Sequence, residues 1–305
     1  MTGRSVWSDP EVRSLAAEFV CVADEVWRLK RKEDAEGDFF RRFCDLGHYR
    51  GGEDGNDTRQ GIYAVTPNGR LLGSLNSRDA GEVAAMMRAA LAEWERSKGD
   101  EVLLSDPTLA SVERLESRYP VDGFLLRSYT RDLPREDVPQ QWRGVWNQDF
   151  VWFTQEEAIA LANPGYSRAA ILRRFARTSL LDSVRGQTDA FPASDVVESL
   201  LLMDLVSQEG SIKHLKVTGS FRLDTPGENP RGTDCKMLGF ADYDSSIDRF
   251  VKFEAVALGK RWGGTQFNFR NDDPGPSPIG WAFVLAGDRP EDRIAPAHFW
   301  DAYGW

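Results

Sequence analysis

Polar residues able to bind a ligand or take part in chemistry fall into four short groups in this sequence. They are Cys44 with His48; Thr58, Arg59 and Gln60; Asp182 with Arg185; and Arg261, Trp262, Asn268 and Arg270. None of these groups forms a phosphate-binding loop, a Gly-x-Ser-x-Gly nucleophile motif or a dinucleotide fingerprint. Each group is therefore a hypothesis about a site, and the surrounding elements decide whether its residues meet.

The last group lies in the segment 259–270, GKRWGGTQFNFR, where a glycine pair predicts a tight turn. Arginine beside aromatic rings binds carboxylates, sugars or single-stranded bases. We therefore expect Arg261, Trp262, Asn268 and Arg270 to contact a ligand. The same composition also makes an ordinary hairpin with a solvated face, so that alternative stays open.

Asp182 and Arg185 lie in a polar stretch between two predicted helices. Two roles are open to them. They line a pocket that faces a sheet, or they orient each other as a structural ion pair.

Cys44 and His48 are the one Cys/His pair close together in the sequence. A metal centre needs at least three protein ligands, and the remaining Cys and His residues are scattered, so no metal site is predicted. A nearby imidazole or arginine lowers the pKa of a thiol, which makes a reactive thiol at Cys44 one hypothesis. The alternative is a cysteine in a loop and a histidine on the surface.

Thr58, Arg59 and Gln60 directly precede a predicted β-hairpin. Its strands are Ile62–Val65 and Leu71–Leu75, and Asn68-Gly69 is a strong turn signal because both residues tolerate positive φ. Neither strand alternates strictly, which predicts burial on both faces. Donors in the loop before such a hairpin hold a peptide or an anion in one interpretation, and order the loop through local hydrogen bonds in the other.

The predicted order of elements in the first third is a helix, a strand, a short helix, the hairpin and a closing helix. These are a helix from Pro10, a buried strand at Phe19–Ala23 that contains Cys21, a helix at Asp38–Asp45, the hairpin, and a helix at Val83–Trp94 capped by Asp79. This order resembles the thioredoxin-like fold over residues 5–96. Thioredoxins reduce disulfides through a Cys-x-x-Cys, and they have a proline before the hairpin and a strand before the first helix. This chain has none of these three features. The resemblance therefore implies a redox-inactive α/β domain over residues 1–98.

Residues 99–305 are predicted to form an α+β domain with an antiparallel sheet. A helix follows Asp106-Pro107, a strand spans Val121–Thr130, a capping box at Thr154–Glu157 begins a helix, and further helices are expected at Ser167–Ser179 and from Ser194 through Met203. Four strands follow, at Ile212–Leu223, Met237–Tyr243, Arg249–Leu258 and Ile279–Ala286. Short turns between successive strands predict antiparallel pairing.

The net charge of −10 over 305 residues argues against nucleic-acid binding and against anionic membrane surfaces. Three cysteines make no disulfide framework, and the first residues do not read as a signal peptide, so a cytoplasmic protein is expected. No cofactor is implied, and the oligomeric state is left open.

Three functions remain open at this level. The preferred one is non-catalytic binding of a protein or a small polar ligand, with the first domain as a scaffold. The second is a hydrolase or transferase whose site lies near Asp182, Arg185 and Arg261–Arg270. The third is a single-cysteine redox protein that uses Cys44.

Overall fold

The computed structural model describes residues 6–7, 9–23, 26–31, 33–48, 59–98, 118–163, 165–166, 168–289 and 292–304. The chain divides into two compact units, residues 1–113 and 114–305. The predicted domain boundary after residue 98 falls at the edge of residues 99–117. Those residues, and with them the helix predicted after Asp106, lie outside the described part of the chain.

The described residues of the N-terminal unit include the following helices and one hairpin. They are α1 (Pro10–Ala16), α2 (Val26–Leu29), α3 (Ala35–Cys44), β1 (Ile62–Val65), β2 (Leu71–Leu75) and α4 (Ala80–Ser97). Asp9 and Asp79 cap α1 and α4, because each carboxylate accepts backbone N–H bonds of the first helical turn. Gly69 takes a φ of 79° in the hairpin turn, as the Asn-Gly signal predicted.

The hairpin is packed on both faces, as its lack of alternation predicted. Ile62 and Leu75 join an apolar cluster with α1 and α4. Tyr63 and Leu71 join a second cluster with α2 and α3, on the opposite face. Two helical layers therefore enclose a two-stranded sheet.

The buried strand predicted at Phe19–Ala23 is wrong. Residues 17–23 form a turn and an irregular segment, with Val20 and Val22 exposed by 95% and 80% and Cys21 exposed. Phe19 packs against the cluster of α1 and α4, but the next four side chains find neither a paired strand nor a helix among the described residues. A run of apolar residues predicts a strand only where a neighbouring strand can accept its hydrogen bonds.

The C-terminal unit is built on a seven-stranded antiparallel sheet with the strand order β4-β3-β9-β8-β7-β6-β5. The strands are β3 (Phe124–Asp132), β4 (Trp146–Phe153), β5 (Val196–Glu209), β6 (Ile212–Thr225), β7 (Arg231–Asp244), β8 (Arg249–Trp262) and β9 (Ser277–Leu285). The helices are α5 (Gln155–Ala162), α6 (Ala169–Ser179) and α7 (Phe299–Ala302). The protein is thus mixed α/β, with one large and one small antiparallel sheet.

One face of the large sheet, here called the inner face, holds the core. Phe175 of α6 packs its ring against Phe221 and Phe283, at centroid distances of 5.6 and 5.1 Å. The capping box predicted at the start of α5 is confirmed, since Thr154 and Glu157 exchange side-chain to backbone hydrogen bonds.

The helix predicted from Ser194 to Met203 is wrong, because Val196–Glu209 is strand β5. Leu201 and Met203 are buried while Leu200 and Leu202 are exposed. Apolar side chains therefore occupy both faces of the strand, and the resulting continuous run cannot be told from a helix by periodicity. Pairing with β6 decides the outcome.

The opposite face, called the outer face, carries exposed apolar side chains on β5, β7 and β8. They are Leu200, Leu202, Leu238, Phe240, Val256 and Leu258, each exposed by about half. An antiparallel sheet with one solvated face usually alternates apolar and polar residues. The outer face departs from that pattern.

Candidate functional site

Four of the predicted site residues meet at one end of the inner face. Asp182 and Arg185 come from the loop after α6, Arg261 from the end of β8, and Arg270 from the loop that joins β8 to β9. Together with their partners they form an Arg–Asp cluster of Arg135, Arg185, Arg261, Arg270, Asp132, Asp182, Asp272 and Asp273. Half of these residues were predicted as site residues from the sequence.

Arg270 lies at the centre of the cluster and is only 1% exposed. Its guanidinium donates two hydrogen bonds to Asp132, at 2.7 and 2.9 Å. It donates two more to Asp182, at 2.6 and 2.7 Å. Paired N–H donors match the two oxygens of a carboxylate, so both contacts have the strong bidentate geometry.

Asp273 is the second centre, because four arginines contact a single oxygen of its carboxylate. Arg185 donates to Oδ2 at 2.9 Å and Arg270 at 3.1 Å. Arg135 and Arg261 also donate to it. The other oxygen, Oδ1, accepts a hydrogen bond from the Ser277 hydroxyl at 3.0 Å.

The cluster balances its own charge, with four arginines against four aspartates. Burial alone would raise the pKa of Asp273, but the hydrogen bond from Arg135 and the charge of Arg261 outweigh it and hold that pKa below its usual value. Burial likewise opposes the cation of Arg270, yet the hydrogen bonds that it donates to Asp182 and Asp132 raise its pKa above the usual value. In Arg261 burial prevails and lowers the pKa.

The cluster joins three parts of the chain that are distant in sequence. Arg185 also pairs with the partly exposed Asp272 at 2.8 Å, and its guanidinium lies 5.3 Å from the ring of Trp142. Gly186 lies against the same loop, where a β-carbon would meet the Phe267 carbonyl oxygen at 2.0 Å. The ion pairs therefore position the β8–β9 loop and the loop after α6 on the end of the sheet.

Asn268 and Trp262 differ from the arginines in their surroundings. Asn268 is buried and its Oδ1 accepts the Thr265 backbone N–H at 2.9 Å, which shapes the β8–β9 loop. Trp262 is half-buried and lies on the outer face. Its indole rests on Gly232, where a β-carbon would come within 2.1 Å of the ring.

Trp262 lines an open groove of about 710 Å³ on the outer face, here called the outer groove. Its other lining residues are Arg222, Asp224, Asp234, Cys235, Lys236, Leu258, Gly259, Lys260 and Pro276. Three cations and two carboxylates thus surround one indole ring. This local excess of positive charge stands out in a chain with a net charge of −10.

Strand register explains the arrangement of charges in the outer groove. Asp234 of β7 lies opposite Arg222 on one side and Lys260 on the other. Opposed side chains in adjacent strands lie about 5 Å apart at their β-carbons. Even so, no ion pair joins Lys236 or Lys260 to a carboxylate of the described residues.

In the N-terminal unit, the residues before the hairpin contact the loop after α3. Arg59 donates to Asp45 at 2.9 Å, and its carbonyl oxygen accepts the Tyr63 hydroxyl at 2.9 Å. The Gln60 carbonyl oxygen lies 3.1 Å from His48 Nε2. Both residues thus make local contacts with Asp45, His48 and Tyr63, and Thr58 lies outside the described residues.

Cys44 and His48 do not form an exposed thiol site. Cys44 is fully buried on α3 beside Phe40 and Phe43. The His48 ring stacks on Tyr63 at a centroid distance of 5.1 Å, and the His48 backbone N–H donates to the Ser74 hydroxyl. The exposed cysteine is Cys21, which was expected in the core.

Sequence reasoning missed four residues of the cluster, Asp132, Arg135, Asp272 and Asp273, and the lysines of the outer groove. Asp132 ends a strand and Asp273 lies in a proline-containing loop, and neither has a motif. A weak signal exists for the groove, since Asp234 and Lys236 occupy alternate positions of β7 and therefore share a face. Their grouping with Lys260 depends on strand register, which the sequence does not show.

Further observations bound the interpretation of these sites. None of the described helices is long and apolar enough to cross a membrane. Within the described ranges, no three or more Cys, His, Asp or Glu side chains are arranged to hold a metal ion. The chain matches no known protein-family model, and no curated protein or solved structure matches it significantly.

Proposed function

We propose that this chain is a non-catalytic binding protein and that it binds a small polar ligand carrying a negative charge in the outer groove. The observation that carries this proposal is the pair of lysines, Lys236 and Lys260, which lie without an ion pair to the described residues beside a fixed indole ring. Lysine ammonium groups bind carboxylates and phosphates as point charges, and the Trp262 ring offers an apolar surface to the rest of the ligand.

The Arg–Asp cluster supports a structural role better than a catalytic one. General acid–base catalysis needs a group that reaches the substrate and changes its protonation near neutral pH. Arg185, Arg261 and Arg270 are buried and pair with carboxylates. No observation on the described residues therefore favours the hydrolase or transferase alternative.

The groove proposal is tested by NMR titration with three related probes. Phenyl phosphate carries a ring and a charge, inorganic phosphate a charge alone, and phenol a ring alone. We expect phenyl phosphate to shift the indole N–H resonance of Trp262, assigned with Trp262→Phe, at lower concentration than either fragment. We expect the double variant Lys236→Gln/Lys260→Gln to lose that shift.

Lys216→Gln is the matched control, because Lys216 lies on the same face but outside the groove. It should keep the full response to phenyl phosphate. An absent shift at about 10 mM probe, a concentration at which even a millimolar complex is mostly formed, would contradict the proposal. Equal shifts in the double variant and the wild type would contradict it as well.

For the N-terminal unit we propose a thioredoxin-like scaffold without redox activity. The order α3, hairpin, α4 and the full burial of Cys44 support this proposal. The irregular segment 17–23 departs from that fold, since the family has a strand there. Insulin reduction in the presence of dithiothreitol tests the function: the wild type and Cys44→Ser should both leave the rate at its background value, and a rate enhancement abolished by Cys44→Ser would refute it.

A further inference from the structure

Strand β5 is an edge of the large sheet. It runs for 14 residues, from Val196 to Glu209, and only β6 pairs with it among the described residues. Leu200 and Leu202 on its outer face are exposed, and so are Leu205 and Val206. A long edge strand with exposed apolar residues is a template for pairing with another strand.

The sequence of β5, VVESLLLMDLVSQE, contains no proline and no lysine, two residues that often protect an edge. Its acidic residues Glu198 and Asp204 lie on either side of the apolar run 200–203. The register with β6 shifts at two places, between Val196 and Glu198 and between Leu205 and Ser207. A bulge interrupts regular pairing, so the regular part of the strand is residues 198–205.

We propose that β5 pairs antiparallel with β5 of a second copy of this chain, with the two-fold axis passing through Leu202. A two-fold axis perpendicular to the sheet joins the outer face of one copy to the outer face of the other. Two directly opposed residues must therefore both lie on the outer face or both on the inner face. In this register Leu202 lies opposite its own copy, Leu200 opposite Asp204, and Leu201 opposite Met203. Ser199 lies opposite Leu205, and this pair is the last one of the regular ladder on each side of the axis.

Neighbouring registers are worse for physical reasons. An axis at Leu201 places Glu198 opposite Asp204 on both sides, and directly opposed like charges destabilise a strand pair. An axis at Met203 pairs Leu200 with Val206, which lies in the bulge, and so shortens the regular ladder. The axis at Leu202 therefore gives the longest regular ladder without opposed like charges.

This inference is independent of the outer groove, because β5 contributes no residue to it. The main test is the molar mass of the full chain by light scattering during size exclusion. We expect a dimer at about 100 µM that dissociates on dilution, as suits a contact made by one strand. A monomer at every concentration would overturn the proposal.

Leu202→Lys is the decisive variant, since it places two ammonium groups opposite each other at the axis. Its side chain is 45% exposed, so folding of the monomer should be unaffected. We expect the dissociation constant to rise at least about tenfold from the lost leucine pair and the added repulsion. Leu238→Lys is the matched control: that side chain is 50% exposed on the same face, two strands from the edge, and the dimer should persist.

Face-to-face stacking of two sheets would give the reverse result, with Leu238→Lys the more damaging change, and would overturn the edge pairing. A disulfide test then checks the register in a Cys21→Ser background. Leu202→Cys should form a linked dimer on mild oxidation, because α-carbons of opposed antiparallel residues lie about 4.5–5.5 Å apart, within disulfide range. Leu200→Cys should not, and efficient linkage there instead would refute the Leu202 axis.

Discussion

Replacement of Arg270 by methionine is the sharpest test of the Arg–Asp cluster. Arg270 makes five hydrogen bonds, two each to Asp132 and Asp182 and one to Asp273. Without it, the nearest remaining cation of Asp132 is Arg185, with Nε at 3.5 Å, and that of Asp182 is Arg261, with Nε at 3.4 Å. A flexible methionine side chain fills much of the space that Arg270 occupied, but it leaves the negative charges of Asp132 and Asp182 poorly compensated.

The expected cost is about 3–5 kcal/mol in the free energy of unfolding, as for removal of one partner from a buried ion pair. For a domain of this size that corresponds to a fall in melting temperature of about 6–20 °C. Arg249→Met is the control, because Arg249 pairs with Asp122 on the surface. Its effect should stay within about 0.5 kcal/mol.

The wild type should lose stability in acid. The pKa of Asp273 is lower in the folded chain than in the unfolded one. The stability that this carboxylate contributes is therefore present above pH ~4 and is lost as the pH falls through the pKa of the folded state. Urea unfolding of the wild type and of Arg270→Met between neutral pH and pH ~3.5 measures this. A cost of Arg270→Met below about 1 kcal/mol at neutral pH would refute the view that Arg270 compensates buried charge.

Two further predictions concern the glycine below the indole and the cysteines. Gly232→Ala should displace the Trp262 ring, because the added methyl group would lie 2.1 Å from it, and should lower both the thermal stability and the response of the Trp262 indole N–H to phenyl phosphate. Unchanged Trp262 chemical shifts would contradict this. In the native protein, Ellman's reagent should label Cys21 alone, because Cys44 and Cys235 are buried and burial, aided by Asp234, raises the pKa of Cys235 to about 12. Labelling of a second thiol without denaturant would contradict that prediction.

Several elements could be predicted from short-range signals. The Asn68-Gly69 turn, the Asp79 cap and the capping box at Thr154 rest on bonds between residues a few positions apart, so their chemistry is visible in the sequence. The strands from Ile212 onward were found for a similar reason, since polar turns separate them clearly. The resemblance to the thioredoxin-like fold stays a prediction.

The two elements that were predicted wrongly show where short-range sequence signals fail. The pattern of an apolar run such as Phe19–Ala23 or Val196–Met203 does not by itself distinguish a strand from another conformation. A strand needs partners for its backbone N–H and C=O groups, and partners come from distant parts of the chain. Val196–Met203 has β6 beside it, whereas residues 20–23 have no paired strand among the described residues.

Sequence alone determined which residues were candidates for a site, because residue type sets charge, donors and aromatic surface. Tertiary structure decided what surrounds them. It brought Asp182, Arg185, Arg261 and Arg270 together and supplied carboxylates from β3 and from the β8–β9 loop, and Arg135 from the loop after β3, so that the cluster neutralises itself. It also aligned Asp234 with Lys260 and placed Trp262 on Gly232. Strand register sets these contacts, and register follows from the packing of the whole sheet, which no local pattern encodes.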